Sequence, residues 1–200
     1  MNYPIFIDKV EPIKVQDKLS GFLGAFENGI YSVSYLECVK LAGHSCPTVA
    51  GAYLMAKEAL NELYPNGEVA QRGNIKVEMR DSKDSGVTGV VATAISFITG
   101  ASDEAGFAGI AGNMGRKNLL NYSSQITREV KFTRLDTNDS VEVDYDPSSV
   151  QPSANMQPLM GKMMKGLASD EEKKEFGKLW QERVEKILLG DSKALITISK

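Results

Sequence analysis

The stretch that decides the fold runs Ala42-Gly43-His44-Ser45-Cys46-Pro47-Thr48-Val49-Ala50-Gly51-Ala52-Tyr53-Leu54-Met55-Ala56-Lys57-Glu58-Ala59-Leu60-Asn61-Glu62-Leu63. Pro47 suits the first position of a helix, because the amide it lacks would have no intrahelical partner there. Behind it Val49, Ala50, Tyr53, Leu54, Ala56, Lys57, Leu60 and Leu63 carry helical spacing as far as the breaker cluster Pro65-Asn66-Gly67. The run is alanine-rich and mostly apolar, which predicts a central helix rather than a surface one. Upstream, Leu36 to Ala42 predicts a short helix, with Gly43 as its C-terminal cap. His44, Ser45 and Cys46 therefore fall in the turn between two helices, with Cys46 at or beside the second N-cap.

Working outward toward the N-terminus, Ile13 to Val15 reads as a short strand, and Asp17 stands where a helix N-cap belongs. Leu19, Phe22, Leu23 and Phe26 then predict a helix ended by Asn28-Gly29. Tyr31, Val33 and Tyr35 alternate with Ser32 and Ser34 and predict a half-buried strand. Downstream, Ile75, Val77 and Met79 alternate within a strand over 74–80. Val87 to Ile98 fits either a buried strand or a helix stopped at Gly100; the spacing of Val90, Val91, Ala94, Ile95 and Ile98 favours the helix. A glycine-rich loop follows over 100–118, then a hairpin of 125–135 and 140–145 around Asp136-Thr137-Asn138-Asp139. Pro147, Pro152 and the serines of 146–155 mark a connector. Leu159, Met160, Met163, Met164 and Leu167 predict a short helix. The capping box Ser169-Asp170-Glu171-Glu172 opens a longer one with Phe176, Leu179, Trp180, Val184, Ile187 and Leu188 on one stripe. Ala194 to Ile198 predicts a last strand.

Composition is that of a soluble globular protein, 42% hydrophobic and 24% charged over 200 residues. The net charge of −3, with no basic run interleaved with aromatics, gives no nucleic-acid footprint. No apolar run approaches the roughly 20 residues that span a bilayer. Met1-Asn2-Tyr3-Pro4-Ile5-Phe6-Ile7-Asp8 lacks the basic-then-apolar order of a signal peptide. The expected location is the cytoplasm, where Cys38 and Cys46 are reduced thiols.

The chemistry concentrates on His44 and Cys46, the latter two residues from the sole histidine. Imidazole and thiolate are the usual ligands of zinc, and thiolate suits softer metals as well. Free amides and the helix dipole at the N-cap favour a negative sulfur on Cys46. His44 can share the metal if neutral, or support the thiolate if protonated. Zinc sites generally have at least three protein ligands. Cys38 is a candidate third, but it also lies on the stripe Tyr35, Cys38, Val39, Ala42, where it reads as a small buried hydrophobe. Asp81, Asp84, Asp103, Glu104 or a symmetry partner are further candidates.

The segment Ala42-Gly43-His44-Ser45-Cys46-Pro47, followed by Gly51, resembles the H-G-H-x-C-P-G motif of the FmdE-like family, which takes its name from formylmethanofuran dehydrogenase. Ile95-Ser96-Phe97-Ile98-Thr99-Gly100-Ala101-Ser102 is similar to the family's helix ending in T-G-C-T, and Gly115-Arg116-Lys117-Asn118-Leu119 to its G-K-G-N-L segment. The resemblance covers roughly 30–145. It implies an α+β fold, helices packed against a mixed, largely antiparallel sheet, to which the residues themselves add a C-terminal helical cap. It also implies a homodimer with a His/Cys metal cleft near the interface between its two copies. His44 and Cys46 match the motif directly. Ala42 replaces its first histidine, Ala101 replaces the downstream cysteine, and Thr48 stands where glycine is usual. No cysteine follows Cys46, so the zinc ribbon of some relatives is missing. The expected organisation is one FmdE-like domain over 1–200, its core about 30–145 and its helical extension about 151–200.

Weaker features are open to two readings each. The glycines of 106–115 can cradle an anion beside Arg116 and Lys117, or allow a tight loop; Arg116 and Asn118 are the candidate ligand contacts. Met156, Met160, Met163 and Met164 read as packing, with a partner surface as the alternative. The leading functional expectation is a metal-binding protein, zinc first, with a possible small-molecule ligand. The alternatives are a metal-free thiol enzyme using Cys46 and His44, and a non-catalytic interaction or metal-delivery module.

Overall fold

A mostly apolar helix must be largely enclosed, and in the computed structural model, which describes residues 3–200, the central helix is, with only Asn61 and Glu62 near its end exposed. Met1 and Asn2, which open the N-terminal stretch read for a leader, lie outside the described residues. In chain order the elements are β1 (Ile13–Asp17), α1 (Lys18–Phe22), β2 (Ile30–Val33), α2 (Tyr35–Ala42), α3 (Pro47–Leu63), β3 (Ala70–Arg72), β4 (Ile75–Met79), α4 (Thr88–Thr99), β5 (Leu120–Asn121), β6 (Val130–Arg134), β7 (Ser140–Tyr145), α5 (Met156–Met164), α6 (Asp170–Leu189) and β8 (Ile196–Ser199). The fold is α+β. Helix α3 packs against α2, α4, α6, β7 and β8. Val49, Ala50, Ala52, Tyr53, Met55, Ala56 and Ala59 have no measurable exposure. The buried Tyr53 hydroxyl reaches the carbonyls of Glu11 at 2.9 Å and Val33 at 3.1 Å, and its single proton serves either one.

Two mixed sheets flank this helix, where the sequence predicts one. The smaller has the order β2-β1-β3, with β2 antiparallel and β3 parallel to β1. The larger has the order β5-β4-β6-β7-β8 and is antiparallel except for the β4–β5 pair. Ile75, Val77 and Met79 of β4 face inward as their alternation predicts. The β6–β7 hairpin turns through Asn138, whose left-handed backbone (φ 62) asparagine tolerates better than most residues. Strand β8 pairs with β7 from Glu142↔Ser199 to Tyr145↔Ile196, so the C-terminal segment completes the larger sheet. Among the described residues no helix is long and apolar enough to cross a membrane.

Several expectations hold in detail. The Val87–Ile98 stretch is the helix α4, and Gly100 caps it at φ 75. Asp17 caps α1 by accepting from the Leu19 and Ser20 amides. The Ser169–Glu172 capping box is formed. Others need correction. The helix expected from Leu19 to Phe26 stops at Phe22, because Gly21 and Gly24 weaken it and Phe22, Leu23 and Phe26 find no core to bury them. Tyr35 belongs to α2, not to the strand before it, because Ser34 and Glu37 form a capping box that starts the helix there. The short β3 and β5 carry no periodic signal and are additions to the predicted elements.

Gly51 of α3 faces the Tyr145 ring, and a Cβ there would stand 2.3 Å from ring carbons. Gly51→Ala should therefore destabilise the chain by about 1–3 kcal/mol through overpacking. Adding Tyr145→Ala should return part of the loss in a denaturant melt. Wild-type stability of the single variant would refute this contact.

Candidate functional site

The turn between α2 and α3 is built by its flanking caps. Gly43 ends α2 in a left-handed conformation, φ 76, that a side chain would strain. Cys46 is the N-cap of α3, with Pro47 in the first turn. Its Sγ accepts the Val49 amide at 3.4 Å, so the sulfur sits where the unpaired helix amides converge. The residue is buried, 7% exposed. Tyr35 and Tyr145 lie close by: burial raises both phenols, and the neighbouring Cys46 adds to the effect. The Tyr35 hydroxyl meets Ser45 Oγ at 3.0 Å.

His44 turns the other way. It is exposed, and its Nδ1 lies 2.9 Å from the Ala42 carbonyl. A carbonyl can only accept, so Nδ1 carries the proton and the lone pair of a neutral ring is on Nε2. The imidazole borders a largely apolar groove of about 260 Å³ between α2 and α4, lined also by Leu41, Ala42, Val90 and Ala94. Cys46 is not among the residues of that groove. Cys38 backs it without surface of its own, and burial pushes its thiol up to about 12.

Helix α6 closes the turn from outside. Trp180 Nε1 and Gln181 Nε2 both donate to the Ser45 carbonyl, at 3.0 and 3.1 Å. The amphipathic stripe marks Trp180 as core; nothing in the sequence signals that its indole donor and the neighbouring Gln181 hold the motif.

The other candidates are dispersed. Asp81 pairs with Arg80, Asp103 with Lys83, and Asp84 accepts from Ser82. Glu104 is exposed. Among the described residues no three His, Cys, Asp or Glu side chains gather as a group able to hold a metal ion. A closed zinc site takes about four ligands, so the residues of one chain do not fit such a site by themselves. Arg116 and Asn118 also separate: Asn118 is exposed on the loop, whereas Arg116 is buried against Asp17 at 2.6 Å.

A family model described as FmdE, molybdenum formylmethanofuran dehydrogenase operon, matches residues 41–197. The chain belongs to the FmdE family. The match opens just before the Gly43–Pro47 turn and runs through α6 into β8, further toward the C-terminus than the three segments that carry the resemblance. In this FmdE-family chain, then, the matched region includes both the turn and the helix that covers it. A search of curated proteins finds no match.

Asp17, the partner of Arg116, is itself buried. Burial alone would raise its carboxyl, but hydrogen bonds from Arg116, Arg72 and the Ser20 amide outweigh that and hold it below the usual value. A depressed folded pKa contributes stability above the unfolded value, about 3.9, and that contribution is lost as pH falls through the folded one. Asp17→Asn should cost about 3 kcal/mol at pH 7, by leaving buried cations unpaired, and should flatten the acid limb below about pH 4 in urea melts. An unchanged acid limb would contradict the assignment.

Thiol labelling checks the cover. Iodoacetamide at pH 8 should reach Cys46 before Cys38. Removing both donors to the Ser45 carbonyl, Trp180→Phe with Gln181→Leu, should speed Cys46 labelling about tenfold if opening becomes about 1.4 kcal/mol easier. Equal labelling of the two cysteines would count against this geometry.

Proposed function

We propose that this chain binds a transition-metal ion, zinc foremost, through His44 and Cys46, and that the remaining ligands come from outside the monomer. The observation that carries the reading is the Nδ1 hydrogen bond of His44 to the Ala42 carbonyl. Such bonds fix the tautomer and orientation of metal-binding histidines and leave Nε2 as the donor. Cys46 is two residues away, a chain reach of at most about 7 Å, so with the His44 ring held by that bond, release of the buried Cys46 side chain from the Val49 amide would bring both donors to one ion. Cys38 can join only if the groove opens, because its thiol is neutral and enclosed.

The outward groove beside His44, with Leu41 46% and Val90 43% exposed, suits a second copy of the chain that contributes the missing ligands. A homodimer with an ion held between copies, in a reducing cytoplasm, is therefore the assembly we infer. A small molecule at the open coordination position is part of this reading.

The test is metal analysis and light scattering on untagged protein. We expect zinc to co-purify and to be lost in both His44→Ala and Cys46→Ser, with the dimer weakened. Stoichiometric zinc retained in both variants, or no zinc in the wild type, would sink the reading.

The Val49 amide on Cys46 Sγ supports a second reading, a metal-free thiol enzyme in which Cys46 is the nucleophile and His44 its base. It predicts alkylation of the metal-free protein well below pH 8. Reactivity that rises only above about pH 8.5, as for free cysteine, excludes it.

A further inference from the structure

A second cavity, of about 190 Å³, opens where α1 begins, beside β3 and the glycine-rich loop. Lys18, Gln71, Arg72, Asn113 and Arg116 line it, and it shares no lining residue with the groove beside His44. Its charge is one-sided. Arg72 and Arg116 both hold Asp17, at 2.9 and 2.6 Å, and Lys18 has no ionic partner among the described residues. One carboxylate thus faces three cations. Asp136, which Asn74 on the same wall approaches, is taken by the Arg134 fork.

Arg116 is the unusual member. It is 8% exposed, and its Nη1 is buried without a hydrogen-bond partner. The guanidinium fits only because two neighbours are glycines: a Cβ on Gly73 or Gly100 would stand 2.3 or 2.2 Å from Nη1. Gly100 belongs to the Thr99-Gly100-Ala101 turn and Arg116 to the Gly115–Leu119 segment, so two of the three sequence motifs meet here. An unsatisfied buried arginine donor is a costly state that native structures usually relieve with water or an ion. A guanidinium with one unpartnered nitrogen, a lysine at the mouth and the Asn113 amide, which keeps one N–H beyond its bond to the Ala111 carbonyl, suit an oxyanion.

We propose that this cavity binds a small oxyanion group, carboxylate or phosphoryl, on a molecule no larger than the space of about six waters. The group takes its hydrogen bonds from Arg116 and Asn113, and Lys18 closes the charge balance at the rim. The site is independent of the metal reading, so failure here leaves that reading untouched.

The full chain is titrated with sodium phosphate and with sodium malonate, each against sodium chloride at equal ionic strength, and thermal unfolding is followed. A saturable rise in Tm beyond chloride is expected. A rise with phosphate alone identifies a phosphoryl group, with malonate alone a carboxylate, and with both a general oxyanion pocket. Lys18→Ala, at an exposed position, should weaken the apparent affinity roughly threefold, the scale of an exposed charge contact. Asn113→Ala should weaken it as well. No rise beyond chloride with either anion, or a rise unchanged in both variants, overturns the proposal.

Discussion

The near-complete burial of α3 is the constraint on which the rest of the structure depends. A helix whose residues 49–56 are all buried needs cover on every side of that stretch. Here α2, α4, α6 and the larger sheet supply it. The start of α3 must then be capped at a buried position. Cys46 meets that requirement: its sulfur is small and apolar enough to be buried, yet accepts the Val49 amide. The residue proposed as a ligand is thus also the cap that starts the helix.

This double duty explains how the turn divides. Cys46 points in toward the helix amides, and His44 points out toward the groove between α2 and α4. Between them the Ser45 carbonyl is held by two donors from α6. Any ion that takes both side chains must work against an arrangement in which one is enclosed. Helix α6 thus holds the residue beside Cys46, although the helix lies more than a hundred residues away along the chain.

The Asp17 cluster is a second buried junction, apart from the groove beside His44. One carboxylate caps α1 through the Leu19 and Ser20 amides and receives both Arg72 and Arg116. It ties the first strand to the glycine-rich loop across 99 residues of sequence. Glycines at 73 and 100, both at positive φ, leave open the space that the guanidinium occupies.

What the sequence determined by itself is local. Pro47, the apolar run behind it and the breakers after it defined α3; Gly43 and Gly100 defined helix ends; alternation defined β4, and the turn residues 136–139 placed the β6–β7 hairpin, whose first strand, Val130–Arg134, is shorter than the 125–135 expected. These features depend on spacing and on backbone preferences that each residue carries with it. The H-x-C-P turn and its family were legible for the same reason. Only the tertiary structure decided that His44 and Cys46 face different ways, that Trp180 and Gln181 hold Ser45, that Cys38 is enclosed, and that Arg116 pairs with Asp17. Side-chain direction and long-range pairing follow from how the elements pack, and no local pattern encodes which distant carboxylate an arginine will meet. The two short strands β3 and β5 escaped for a related reason: strands of three and two residues exist only because β1 and β4 offer them an edge.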